Sequence, residues 1–81
     1  MTSNASALIL YHTDGCHLCE IAQQILTDNG IKFELVDICD DAVLVARYGT
    51  TIPVLSCKAQ IKQLGWPFDA EQVLTFIRSI R

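Results

Sequence analysis

Residues 7–38 constrain the fold more than any other stretch, because they read as strand, helix and strand with almost nothing between. Ala7-Leu8-Ile9-Leu10-Tyr11 is a continuous apolar run ended by His12-Thr13-Asp14-Gly15, the pattern of a strand buried on both faces that stops in a turn. From Cys16 onward Leu18, Ala22 and Ile25 recur at helical spacing with Cys19 and Leu26 beside them, and Asn29-Gly30 stops the pattern. That is a helix of about three to four turns. Ile31, Phe33 and Leu35 then alternate with Lys32, Glu34 and Val36, which predicts a second strand over residues 31–38 with one dominant buried face. A strand, helix and strand so closely joined form a βαβ unit, so the two strands are expected to be parallel with a right-handed crossover.

The remaining chain supplies the rest of a sheet. Residues 1–6 are small and polar and read as a frayed end. Asp40 is placed to cap a short helix that runs through Tyr48 and closes at Gly49. Residues 54–57 and 60–64 are strand candidates joined so tightly that they must form an antiparallel hairpin. Asp69, with Gln72 in capping-box spacing, opens a last helix whose apolar stripe is Val73, Phe76, Ile77 and Ile80. The expected architecture is α/β, in the order β-α-β-α-β-β-α, with a mixed four-stranded sheet flanked by helices. With 81 residues only one core can form, so residues 1–81 are expected to be a single domain.

A composition 51% apolar and 19% charged is that of a packed globular chain. The net charge is −3, and Lys32, Arg47, Lys58, Lys62, Arg78 and Arg81 are scattered, so no basic stripe exists to track a nucleic-acid backbone. Met1 to Ala7 carry no cation, and the apolar run after them is too short for a leader core or a membrane span. A monomer in the cytoplasm is the expectation, and in that reducing compartment the four cysteines read as catalytic, metal-binding or buried.

Position separates those readings. Cys16 stands at a helix start, where unpaired backbone N–H groups and the positive end of the helix dipole favour an anion. Thiolate is the nucleophilic form of cysteine, so Cys16 takes the attacking role. Cys19 lies nearly one turn further on the inward side, within reach of the first sulfur but less open to solvent, and is the natural resolving thiol. His17 between them either supports the thiolate or is an exposed first-turn residue. Cys-x-x-Cys spacing also supplies half of a zinc site, but its place after a strand, at a helix start in a βαβ unit, favours redox chemistry.

With Leu10-Tyr11 leading to Gly15-Cys16-His17-Leu18-Cys19, then Tyr48-Gly49-Thr50, Ile52-Pro53-Val54-Leu55 and Gly65-Trp66-Pro67-Phe68-Asp69, the chain resembles the thioredoxin superfamily, and most closely the short bacterial glutaredoxin-like proteins. The resemblance covers residues 7–80. It implies a thiol-disulfide oxidoreductase of thioredoxin-like fold, with Cys16 as nucleophile, Cys19 as resolving cysteine, and Pro53 as a cis-proline facing them. It also implies that the backbone of Ile52, beside the sulfurs, can pair with an extended substrate, so that His17, Ile52 and Pro53 join the substrate site. No bound cofactor is expected; the partners are a disulfide-containing protein or small molecule and a thiol reductant, either glutathione or a thioredoxin-reductase-type system. Typical glutaredoxins have Cys-Pro-Tyr-Cys, a cation shortly before it, and Gly-Gly followed by Asp. Here Thr13-Asp14-Gly15 precedes the pair and Leu64-Gly65-Trp66 replaces the double glycine, so the charged ends of glutathione lack their usual partners. Asp69 is either a helix cap or a partner for an ammonium.

The other candidates have plainer readings. Cys39 is expected on the same sheet edge as the pair, whereas Cys57 lies roughly 13 Å along an oppositely directed strand at about 3.3 Å per residue, so one metal ion cannot collect all four thiols. Both read as packing cysteines. His12 is expected to make a hydrogen bond. Trp66 and Phe68 either cover the end of the core or form a contact for a protein partner. The alternative to an enzyme is therefore a non-catalytic binding module of the same fold that docks a partner through the Pro53 and Trp66 surface.

Overall fold

The computed structural model describes residues 7–60 and 62–80; the expectation for residues 1–6, and residue 61 of the expected hairpin, lie outside that range. The elements are β1 (Leu8–His12), α1 (His17–Asp28), β2 (Glu34–Asp37), a 3₁₀ turn (Ile38–Asp40), α2 (Ala42–Tyr48), β3 (Val54–Cys57), β4 (Gln63–Gly65) and α3 (Ala70–Ser79). The strands form one mixed sheet in the order β2-β1-β3-β4. β1 is parallel to β2 and antiparallel to β3, and β3 is antiparallel to β4.

Alternation along the strands divides the core into two layers. Leu8, Leu10, Leu55 and Cys57 point to one face, where they pack with Ala22 and Leu26 of α1 and with Phe68, Val73 and Phe76. Tyr11 and Val54 point to the other, where Ile38 and Tyr48 close a smaller cluster with Leu44 and Ile52. Leu10, Leu26, Leu55 and Val73 are fully buried, each worth about 1.5–3 kcal/mol of transfer free energy. The short α2 covers only part of its face, because seven residues make about two turns.

Local signals fix the element ends. Helix α1 closes in a Schellman motif: the Ile31 N–H bonds Leu26 O and the Gly30 N–H bonds Thr27 O, both at 3.0 Å, around Gly30 at φ +68°. At α3 the expected capping box is present, with Asp69 Oδ1 accepting from the Gln72 N–H at 2.8 Å and Gln72 Oε1 accepting from the Asp69 N–H at 3.0 Å.

Four boundaries differ from expectation. β1 is displaced by one residue, to Leu8–His12. β2 is confined to Glu34–Asp37, and Leu35 is 46% exposed even though its register partner Leu10 is fully buried. β2 is the sheet edge, so the helix layer that covers Leu10 ends short of Leu35, while Ile31 and Phe33 reach the core from outside the strand. The cap of α2 is Asp41 rather than Asp40, with Asp41 Oδ1 accepting from the Val43 N–H at 2.8 Å, because the unforeseen 3₁₀ turn takes up Asp40. β4 begins at Gln63 rather than residue 60, since pairing of Leu64 with Leu55 sets the register and leaves Gln60 in the turn.

Candidate active site

The turn from β1 into α1 places the cysteine pair. Gly15 adopts φ +78°, a left-handed conformation that glycine enters without steric cost, and the chain then reaches Cys16 in extended geometry as the cap residue of α1. Cys16 Sγ accepts a hydrogen bond from the Cys19 N–H at 3.2 Å, so the sulfur itself does the work usually given to a Ser or Asp side chain. Cys16 is half-buried, whereas Cys19 is 1% exposed.

The two thiols therefore have different environments. Burial pushes the Cys19 thiol up from 9.0 to about 12, helped by a hydrogen bond to the Cys16 sulfur; the Thr13 backbone N–H pulls the other way, and the nearby Cys16 and Glu20 charges add smaller upward pushes. At neutral pH Cys19 stays protonated, and of the two sulfurs Cys16 is the more accessible.

The other predicted residues are placed as follows. His17 is exposed and turned toward Glu20, Nδ1 to Oε1 at 3.9 Å. The Ile52–Pro53 bond is cis, Pro53 is fully buried, and the Ile52 N–H donates to Tyr48 O at 3.2 Å. Trp66–Pro67 is a second cis bond that the sequence reading did not anticipate. Cys57 belongs to the main core, and Trp66 packs edge-on against buried Phe68 with centroids 5.0 Å apart. His12 stands opposite Asp37 in the β1–β2 register. Among the described residues no group of three His, Cys, Asp or Glu side chains is arranged to hold a metal ion.

Thr13 is a site residue that sequence reasoning missed. Its backbone N–H acts on Cys19, and its Oγ1 lies 3.1 Å from the sulfur of exposed Cys39. Cys39 in turn donates its N–H to Asp37 Oδ1 at 2.9 Å, a bond that is the main cause of the lowered pKa of that carboxyl. The signal was available: parallel β1 and β2 end on one edge, which brings residues 13 and 37–39 together.

A family model described as a glutaredoxin-like domain matches residues 7–78. The chain belongs to this glutaredoxin-like family. The glutaredoxin-like chain is 39% identical to a structural-genomics target protein from X. campestris, over 90% of its own length and 97% of that protein, with a TM-score of 0.82. It also superposes on a glutaredoxin from Archaeoglobus fulgidus, at 19% identity over 93% of this chain and 89% of that one, with a TM-score of 0.65. Thioredoxin 1 from Thermosipho africanus is similar at 20% identity, over 90% and 91% of the two chains, with a TM-score of 0.61. These two distant likenesses show that the glutaredoxin-like domain has a thioredoxin-like fold. No curated protein matches it significantly. No helix among the described residues is long and apolar enough to cross a membrane.

Proposed function

We propose that this glutaredoxin-like protein is a dithiol thiol-disulfide oxidoreductase, acting as a monomer in the cytoplasm. The observation that carries the reading is the asymmetry of the pair: an accessible Cys16 at a helix start, backed by a buried Cys19 held protonated with its thiol near 12.

Cys16 thiolate attacks one sulfur of a substrate disulfide; a mixed disulfide forms and the other substrate sulfur leaves as a thiolate. Cys19 then loses its proton and attacks the Cys16 sulfur, expelling the second substrate thiolate and closing the Cys16–Cys19 disulfide. Two electrons have passed to the substrate. Once Cys16 is in the mixed disulfide its charge is gone, which removes one of the influences that hold Cys19 protonated. The resolving thiol thus becomes easier to ionise at the step that needs it.

A thiol reductant, glutathione or a thioredoxin-reductase-type protein, reopens the pair. Three features weigh against a glutathione clamp: exposed Asp14 precedes the pair, no Lys or Arg lies between Tyr11 and Cys16, and the Asp69 carboxylate is engaged in the helix cap. An extended substrate that pairs with Ile52 would have to use its carbonyl, since its N–H is taken up by Tyr48 O. Turnover of a disulfide-bonded peptide under each reductant tests the reading. Cys16→Ser is expected to abolish turnover with both, and retained turnover would overturn the assignment.

A further inference from the structure

The second face of the sheet carries a feature that the cysteine chemistry does not use. On that face the short α2 leaves a cavity of about 340 Å³, lined by Tyr11, Arg47, Tyr48, Ser56, Gln63 and the turn residues Gln60 and Lys62. No carboxylate is among these residues, in a chain whose net charge is −3. None of the cysteines is among them either.

The polar groups are oriented rather than scattered. The rings of Tyr11 and Tyr48 stack, with centroids 4.5 Å apart and planes 17° from parallel. Tyr48 is only 6% exposed, and its hydroxyl accepts a hydrogen bond from Gln63 Nε2. With its oxygen so engaged, the Tyr48 hydroxyl proton is left to donate. Arg47 is exposed, is in no ion pair among the described residues, and lies near enough to act electrostatically on the Tyr11 hydroxyl. Lys62 and Gln60 contribute their stems, because their ends bond the carbonyls of Ser79 and Ile80, each at 3.1 Å. Donors therefore outnumber acceptors: a planar guanidinium, two phenolic hydroxyls, the Ser56 hydroxyl and the second Gln63 amide proton.

We propose that this cavity binds the oxyanion group of a small organic ligand, a phosphate ester or a carboxylate, between the Arg47 guanidinium and the paired Tyr11 and Tyr48 hydroxyls. A guanidinium presents donors in a plane that matches two oxygens of either group, and charge-assisted bonds of this kind are about twice as strong as neutral ones. The cavity volume leaves room for the ligand body beside the oxyanion. The site is independent of the redox reading.

The test is an amide-resolved NMR titration of the reduced protein at fixed ionic strength, with inorganic phosphate in one arm and acetate in the other. Saturable shifts centred on Tyr11, Arg47, Tyr48 and Gln63 are expected in at least one arm, and the arm that saturates identifies the group. Arg47→Gln, an exposed position, is expected to weaken binding about tenfold or more, the loss of a charged hydrogen bond. Tyr11→Phe keeps the ring stack and is expected to weaken it severalfold. Shifts that never saturate in either arm, that spread equally over Lys32, Lys58 and Arg78, or that are unchanged in Arg47→Gln would overturn the proposal.

Discussion

Replacing Cys16 by alanine tests the electrostatic coupling between the two thiols. In the native protein Cys19 titrates at about 12 rather than 9.0, so at any neutral pH it holds about a thousandth of the thiolate of an ordinary thiol. The causes are unequal: burial is the largest, and the Cys16 hydrogen bond and charge come after it. Alanine at position 16 removes both Cys16 contributions but leaves Cys19 in its buried place. The Cys19 value should therefore drop below 12 while staying above 9.0. Cysteine-selective ¹³Cβ labelling reads each thiol separately through its shift on ionisation, so Cys39 and Cys57 do not confuse the result. A native Cys19 that titrates at or below 9.0 would refute the reasoning, because the buried thiol would then compete with Cys16 as the attacking group. A variant in which Cys19 stays at 12 would refute the coupling and leave burial as the whole cause.

Two further outcomes follow from the same geometry. Cys19 and Tyr11 both have raised folded values, so each stabilises the fold fully below its unfolded value and loses that contribution as pH rises toward the folded one. Between about pH 9 and 12 stability should fall by up to about 1.4 kcal/mol per pH unit from Cys19, and thermal melts of Cys19→Ala should show a shallower alkaline decline than the native protein. A Cβ on residue 15 would meet nothing within 4 Å, yet φ there is +78°, so Gly15→Ala should cost about 1 kcal/mol through backbone conformation alone, seen as a lower urea midpoint with an unchanged slope. An unchanged midpoint would contradict that account.

The order of elements was legible because each was announced by a strong local signal. Asn29-Gly30 reads as a helix stop and folds as one, and Asp69 with Gln72 reads as a capping box and forms both of its bonds. The cysteine pair was legible for the same reason, since a turn ending at Gly15 leaves Cys16 no place but the helix cap. What failed to read out depended on partners distant in sequence. Leu35 has the alternation of a buried residue, but only the sheet order shows that it stands at an edge. Asp40 and Asp41 are equivalent as caps until the 3₁₀ turn after β2 takes the first. The stacking of Tyr11 on Tyr48 joins residues from β1 and α2, and no pattern within either segment announces it.

The central claim, that Cys16 attacks and Cys19 resolves, is tested most directly by Cys19→Ser mixed with a disulfide-bonded peptide and mapped by mass spectrometry after proteolysis. A stoichiometric mixed disulfide on Cys16, stable until an external thiol is added, is the predicted result. An adduct on exposed Cys39 with Cys16 left free would contradict it.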